Sequence, residues 1–144
     1  MVKKVELHTD GSCLGNPGRG GWGYILKFGQ HEKEGSGGVA HATNNQMELL
    51  AVIKGLSAIK EPCEVQLFSD SKYVLQGLET WIHSWKMNNW KTSTKKDVSN
   101  KELWVQLHEL SEKHKIIFNW VKGHNGDPLN ERVDKLANSA AQKV

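Results

Sequence analysis

Two stretches of alternating apolar and polar residues, each ending in an aspartate, place the strongest constraint on the fold of this chain. The first runs through residues 5–9 to Asp10, and the second runs through residues 65–69 to Asp70. Alternation with a period of two predicts β-strands. The helical spacing of apolar residues between 44 and 60 predicts a helix between them, the usual connection between parallel strands. We therefore expect both carboxylates to lie at the same edge of one sheet.

The remaining patterns predict further strands and helices along the chain. We predict strands at 22–28, 31–42 and 115–121, helices at 71–79, 81–88 and 101–113, and a final helix that begins at Pro128. The strand at 31–42 is expected to be exposed and the strand at 115–121 buried. The final helix, with Asp127 as its expected N-cap, has an apolar stripe made of Leu129, Val133, Leu136, Ala137 and Ala140. This order predicts an α/β fold with a five-stranded mixed sheet.

Length and composition predict one domain in a reducing compartment. The 144 residues suffice for a single core, and no repeat or linker divides them, so we expect one domain over residues 1–144. Cys13 and Cys63 lie far apart and lack the spacing of a metal site, which is typical of free thiols in a reducing compartment. The N-terminus has no apolar signal region, and no apolar run reaches the roughly 20 residues of a membrane span. We expect a soluble cytoplasmic protein.

Positive charge is concentrated in residues 81–101, called the basic segment below. The whole chain has a formal net charge of only +3. The basic segment nevertheless holds five lysines and three tryptophans but a single acid, Asp97. This combination predicts a polyanionic partner.

A third carboxylate, Glu48, is expected in the first turn of the helix that joins the two parallel strands. Taken singly, each aspartate is better explained as a turn residue or helix cap, and Glu48 can be explained as a partner of the helix dipole. Together, the three carboxylates would repel one another by about 4 kcal/mol per pair at 4 Å, a large part of the roughly 5–15 kcal/mol that stabilises a domain. Protonation or bound cations must offset this repulsion, and oxygen-only ligands suit Mg²⁺ or Mn²⁺.

Four sequence blocks resemble the type I ribonuclease H family in its bacterial form. These blocks, which lie within residues 3–142, are TDGSCLGNPG, TNNQMELLA, FSDSKYV and WVKGHNGDPLNERVDKLA. The resemblance implies a ribonuclease H-like fold, with helices on both faces of the mixed sheet. It also implies a monomeric endonuclease that hydrolyses the RNA strand of RNA–DNA hybrids, leaving 3′-hydroxyl and 5′-phosphate ends.

The resemblance also assigns the catalytic residues. It implies that Asp10, Glu48, Asp70 and Asp134 hold two Mg²⁺ ions about 3.5–4 Å apart, which Mn²⁺ can replace. Asp10 would bridge the two ions. Glu48 and Asp70 would hold the ion that faces the leaving oxygen, and Asp134 the ion that carries the attacking water. His124 would shuttle a proton and help to release product. The residue pattern alone favours a solvated helix face for Asp134 and a bystander role for His124.

Substrate contacts follow from the same resemblance. Backbone groups of Gly11 and Cys13 and the side chain of Asn16 are expected to bind ribose 2′-hydroxyls, which distinguish RNA from DNA. The simpler explanation of the later glycines, 18–23, is a tight connection between two strands. Contacts to the DNA strand are expected from Thr43, Asn44, Asn45, Trp81, Trp85, Lys86, Trp90 and Asn100.

Some of these assignments have alternatives. Trp81 and Trp85 lie four residues apart on one helix and are equally explained as a packing stripe. His41 and residues 87–89 are less basic than the family pattern, so we expect weaker hybrid binding than in a more basic relative. A hybrid-binding module without catalysis would lack one of the carboxylates, and another nuclease of the same fold, such as an integrase, would lack the hydroxyl-binding and basic segments.

Overall fold

The computed structural model describes residues 3–122 and 127–144. Within these residues it contains five strands: β1 (Lys3–Leu14), β2 (Gly18–Phe28), β3 (His31–Ala42), β4 (Cys63–Ser69) and β5 (Lys115–Trp120). Its α-helices are α1 (Asn44–Ser57), α2 (Lys72–Gln76), α3 (Ile82–Met87), α4 (Lys101–Ser111) and α5 (Pro128–Gln142). A π-helical turn, Gly77–Trp81, joins α2 to α3. None of these helices combines the length and the apolar composition that a membrane span requires.

The sheet is mixed, as the sequence predicts. Its strand order is β3-β2-β1-β4-β5. The pairs β1–β2 and β2–β3 are antiparallel, whereas β1–β4 and β4–β5 are parallel. The predicted parallel pairing of the two aspartate-ending strands is confirmed, and α1 forms the crossover between them.

The register of β1 and β4 places the two aspartates at equivalent positions. His8 is paired with Phe68, and each aspartate follows two residues later. The prediction that the first strand ends at Asp10 is wrong, because β1 continues to Leu14. Beyond the end of β4, β1 still pairs with β2 along its other edge. Asp10 therefore lies inside a strand, at the point where one of its two neighbouring strands stops.

The glycines at 18–23 are part of β2 and do not form the connection expected from composition. The turn between β1 and β2 lies at residues 15–17. At Gly21, a β-carbon would collide with the backbone carbonyl of Ala137 in α5. Small residues here allow the helix to lie directly against the sheet, which overrides their local preference for turns.

Helices cover both faces of the sheet. On one face, α1 packs against β1 and β2 and also against α4, and on the other face α5 packs against β1, β2 and β3. The main core lies beneath α1 and α4 and includes Leu7, Leu67, Leu49, Val52, Ile53, Leu56 and Trp104. Asp70 follows directly after β4, at the carboxyl end of the parallel strands.

Three further predictions need correction. The helices predicted at 71–79 and 81–88 form one continuous helical segment, because the π-helical turn carries the chain past residue 80. The strand predicted to be buried, β5, is instead the edge strand, and Trp120 is 51% exposed. The predicted apolar stripe of α5 is buried at Val133 and Ala137, whereas Leu129, Leu136 and Ala140 are only partly buried, and Asn130 and Ala141 complete the buried face.

Candidate active site

Three carboxylates from separate elements meet at the end of the parallel strands. Asp10 lies on β1, Glu48 on α1 and Asp70 directly after β4. Each offers one oxygen that lies within 4.8 Å of the oxygens of the other two. Asp10 is only 3% exposed. The structure thus brings together three of the four predicted metal ligands.

Gly11 allows this approach between β1 and α1. A β-carbon at Gly11 would lie 2.5 Å from the backbone nitrogen of Glu48, closer than any side chain tolerates. The Gly11 N–H donates to Oε1 of Glu48 and to Oδ1 of Asp10, at 3.0 Å in each case. Gly11 therefore positions two carboxylates, a role that the sequence did not reveal.

Glu48 does not lie in the first turn of α1, contrary to the sequence prediction. The helix begins at Asn44, and its first turn contains no acidic residue. An interaction with the helix dipole fades beyond the first turn. The inward position of Glu48 is therefore explained by the carboxylate cluster and not by the helix dipole.

Burial and mutual repulsion disfavour ionisation of the cluster. Burial raises the pKa of Asp10 far above its ordinary value, and the neighbouring charge of Glu48 adds to this shift. Burial also raises the pKa of Glu48, although the hydrogen bond from Asp10 opposes that shift. The pair therefore holds a proton on Asp10 well above the pH at which an exposed aspartate loses it.

One oxygen of Glu48 indicates what the cluster lacks. Its Oε2 is buried and has no hydrogen-bond partner among the described residues. A buried acceptor without a partner is destabilising by about 1–3 kcal/mol, and by more when it is charged. A divalent cation supplies the missing partner and offsets the repulsion. The carboxylates present fit such an ion.

The contacts around Asp70 show that it does not cap α2. Ser71 is the N-cap of α2, and its side chain accepts from the N–H of Val74, so the capping explanation of Asp70 is wrong. The indole N–H of Trp120 donates to the backbone oxygen of Asp70 at 3.2 Å. The ammonium group of Lys72 lies 4.6 Å from the centre of the Trp120 ring. These contacts fix the backbone that carries the Asp70 carboxylate.

Asp134 lies on α5, beside the other carboxylates. It raises the pKa of Asp10 through a side-chain hydrogen bond, and its charge raises the pKa of Glu48. Among the described residues it is not part of the group that lies within 4.8 Å. The predicted proton shuttle, His124, lies outside the described residues.

The segments predicted to contact the RNA strand are tied to the start of α1. The Asn44 N–H donates to Oδ1 of Asn16 at 3.2 Å. The thiol of Cys13 donates to the carbonyl oxygen of Ala42 at 3.0 Å. Thr43 caps α1 in a reciprocal pair of hydrogen bonds with Gln46. The turn after β1 and the N-terminus of α1 are thus joined by hydrogen bonds. The exposed side chain of Asn45 lies at the same end of α1.

Asn100 is held by two residues that the sequence analysis did not identify. Its amide donates to the Tyr73 hydroxyl at 3.2 Å, and its Oδ1 accepts from Gln46 at 3.4 Å. The Tyr73 hydroxyl also accepts from the indole N–H of Trp104 at 3.0 Å. Asn100 itself adopts a left-handed conformation with φ of 60°. For Gln46, the only sequence signal was its position three residues after the capping Thr43. No sequence signal pointed to Tyr73.

The tryptophans of the basic segment pack against one another and remain partly exposed. The ring centres of Trp81 and Trp85 lie 5.9 Å apart, and those of Trp85 and Trp90 lie 6.5 Å apart. Trp85 also packs against the buried Trp104, with centres 5.2 Å apart. The packing-stripe explanation therefore holds for the side of each ring that faces another tryptophan, while part of each ring remains exposed. Lys86 is exposed and lies 3.9 Å from Glu112.

A mixed sheet with clustered carboxylates at the end of its parallel strands is an arrangement suited to metal-dependent nucleases. The family model described as RNase H matches residues 2–142. The chain therefore belongs to the ribonuclease H family, as the sequence blocks indicated, and is an endoribonuclease.

Individual relatives agree with this assignment. Ribonuclease H of Erythrobacter litoralis (strain HTCC2594) is 56% identical over 140 residues, which cover 97% of each chain. Ribonuclease H of Mesorhizobium japonicum is 59% identical over 137 residues, 95% of this chain and 77% of the relative. Among solved structures, LC9-RNase H1, a type 1 RNase H with the type 2 active-site motif, is 29% identical. It superimposes with a TM-score of 0.91 over 99% of this chain and 74% of its own.

Proposed function

We propose that this protein hydrolyses the RNA strand of RNA–DNA hybrids internally, leaving 3′-hydroxyl and 5′-phosphate ends. We further propose that Mg²⁺ is its metal and that Mn²⁺ can substitute. The observation that carries the proposal is the cluster of three carboxylates, in which Asp10 is buried and one buried oxygen of Glu48 has no partner among the described residues. Relatives that are more than half identical and carry the name Ribonuclease H support the same reaction.

In this proposal, Asp10, Glu48, Asp70 and Asp134 are the metal ligands. Bound divalent ions lower the pKa of an attacking water and neutralise the charge on the leaving 3′ oxygen. Asp10 is hydrogen-bonded to both Glu48 and Asp134, so it would hold bound metal together with ligands from α1 and α5. Gly11 holds Glu48 in place, and a buried site keeps the carboxylates ready without rearrangement.

Recognition of the two strands is assigned to two sets of residues, which meet where Asn16 accepts from the N–H of Asn44. We propose that Cys13 and Asn16 contact the ribose 2′-hydroxyls of the RNA strand, and that Gly11 acts there together with its role in placing Glu48. For the DNA strand we propose contacts from Thr43, Asn44, Asn45 and Asn100, with Trp81, Trp85, Lys86 and Trp90 on the basic segment. His124 is the proposed proton shuttle. Phosphate contacts supply affinity, while the hydroxyl contacts distinguish RNA from DNA.

We also propose that residues 1–144 form one domain, that the protein acts as a monomer and that it works in the cytoplasm. The free thiols of Cys13 and Cys63 are consistent with a reducing compartment. The chain has a mass of 16.2 kDa, and light scattering in the presence of Mg²⁺ is expected to give this value. A mass of about twice that value would contradict the monomer.

A substrate panel tests the reaction. Labelled RNA–DNA hybrid, duplex DNA and duplex RNA of one sequence are incubated with Mg²⁺ and the products are resolved on a gel. We expect cuts in the RNA of the hybrid only, and loss of these cuts in Asp10→Asn. Glu64→Gln removes a carboxylate that is paired with Lys4 and Lys115 and is expected to retain cleavage.

The alternatives give other results in the same panel. A hybrid-binding module would leave all three substrates intact while still retarding the hybrid in a native gel. A DNA nuclease of the same fold would cut duplex DNA. Either result would overturn the proposed reaction.

A further inference from the structure

The outer part of the basic segment folds back on itself after α3. Lys91 and Asp97 form an isolated antiparallel bridge. The Thr92 N–H donates to the carbonyl oxygen of Lys96 at 2.7 Å. The Val98 N–H, one residue past the bridge, donates to the carbonyl oxygen of Trp90 at 3.0 Å. The bridge therefore fixes the position of the Asp97 backbone within the basic segment.

The side chain of Asp97 contacts two lysines of the basic segment. Its Oδ1 lies 2.5 Å from Nζ of Lys91 and 3.5 Å from Nζ of Lys101. The two lysine side chains are 46% and 36% exposed, and that of Asp97 is 58% exposed. The lysines also hold the pKa of Asp97 below its ordinary value, so this carboxylate is ionised near pH 7.

Asp97 also borders a surface that is expected to bind phosphate. Asp97, Lys101 and Asn100 line one cavity of about 410 Å³, together with Gln46, Leu103 and a second acid, Glu102. Asn100 is a proposed contact to the DNA strand. A negative charge in this cavity repels a DNA phosphate and at the same time engages the cations that would bind it.

We propose that Asp97 is an internal counter-ion that competes with DNA-strand phosphates for Lys91 and Lys101 and so weakens hybrid binding. The inference rests on the proposed function, since it assumes that the basic segment binds the hybrid. Exposed ion pairs are weak in water, so the lysines can exchange the carboxylate for a phosphate. The charge of Asp97 nevertheless remains beside the phosphate, and the affinity stays below that of a basic segment without an acid.

The salt dependence of hybrid binding tests this competition. Every variant carries Asp10→Asn to prevent cleavage, and the dissociation constant of a fluorescein-labelled RNA–DNA hybrid is measured by anisotropy across a KCl series with Mg²⁺. We expect Asp97→Asn to tighten binding about three- to tenfold near 50 mM salt. We also expect the slope of log Kd against log salt to steepen by about one, the effect of one further neutralised phosphate.

Three comparison variants make the result specific. Glu64→Gln removes the same charge from a carboxylate that is paired with Lys4 and Lys115, and it is expected to leave the slope unchanged. Asp97→Ser is expected to steepen the slope as Asp97→Asn does. Lys91→Gln is expected to change the slope little alone but to remove most of the gain when it is combined with Asp97→Asn.

Several results would overturn the inference. These are an unchanged slope or weaker binding in Asp97→Asn, a gain in only one of the two Asp97 variants, and an equal gain in Glu64→Gln. They differ from a failure of the proposed function, in which the parent protein binds the hybrid no better than duplex DNA of the same sequence at every salt concentration.

Discussion

The carboxylate cluster should destabilise the protein when divalent metal is removed, and Asp10→Asn should reverse this effect. In the unfolded chain Asp10 has an ordinary pKa of 3.8, whereas burial and then the charge of Glu48 raise its pKa in the folded state. The folded state therefore binds more protons than the unfolded state above about pH 4. Under that condition the free energy of unfolding falls as pH rises, until the raised pKa is reached.

The size of the effect follows from one retained proton. The free energy of unfolding decreases by about 1.4 kcal/mol per pH unit for each proton that only the folded state retains. Between 3.8, the ordinary pKa of Asp10, and pH 7.5, this amounts to at most about 5 kcal/mol. Asparagine has nearly the same shape and no charge, so it avoids this loss. We expect Asp10→Asn to gain about 1–4 kcal/mol at pH 7.5 without divalent metal.

Urea unfolding followed by circular dichroism measures this difference. Wild type and Asp10→Asn are compared in EDTA at pH 5.5 and 7.5, and again with Mg²⁺ at pH 7.5. The advantage of Asp10→Asn should grow with pH in EDTA and shrink with Mg²⁺, because the metal stabilises only the intact cluster. Asp97→Asn is the matched control. It removes an exposed charge whose pKa is lowered by Lys91 and then by Lys101, so it should lose a little stability.

Two results would refute this reasoning. The first is an Asp10→Asn protein that is equally or less stable than wild type in EDTA at pH 7.5. The second is a difference between the two proteins that does not change between pH 5.5 and 7.5. Either would show that the cluster is already relaxed or solvated, and that burial does not control the ionisation of Asp10.

Three further substitutions test individual contacts. Gly11→Ala introduces a β-carbon 2.5 Å from the backbone nitrogen of Glu48. Because this displaces a proposed metal ligand, kcat should fall at least about tenfold. An unchanged kcat would contradict the positioning role of Gly11. Trp120→Phe removes the hydrogen bond to the Asp70 carbonyl and should lower kcat several-fold, while the circular dichroism spectrum stays unchanged. An effect on KM alone would contradict a role of Trp120 in positioning Asp70. Met87→Lys adds a cation at a site that is 85% exposed and should lower KM more at low salt than at high salt. Equal KM values across a salt series would contradict the expected effect of the weakly basic segment.

The equivalence of Asp10 and Asp70 could be predicted because it depends on local rules. Period-two alternation locates both strands, and the helix between them makes the strands parallel. Local composition was misleading where long-range pairing decides the structure. Residues 18–23 are rich in glycine, yet they lie in β2, because β1 and β3 hydrogen-bond to both sides of that strand. Trp120 likewise looked buried, because sequence alone does not identify the edge of a sheet.

The contacts that hold the site together could not be predicted, because they join residues distant in the chain. The sequence predicted that Gly11 contacts a ribose 2′-hydroxyl. Its hydrogen bond to Glu48 forms only because α1 packs against β1. Asn100 was recognised from the family pattern, but its partners Gln46 and Tyr73 depend on how α1, α2 and α4 meet. The sequence thus predicted candidates for chemical roles more readily than it predicted the contacts that position those candidates.

Stability and catalysis make opposite demands on the same residues of this protein. Repulsion between Asp10 and Glu48 is harmful only while no cation lies between them, and the same buried oxygens are those a divalent ion binds most strongly. A substitution that relieves the repulsion removes a proposed metal ligand, so it should raise stability in EDTA and abolish cleavage together. Since one oxygen of Glu48 has no partner within residues 3–122 and 127–144, Glu48→Gln should show the same opposed changes. A variant of either residue that loses cleavage and also loses stability in EDTA would mean that the carboxylates support the fold rather than strain it.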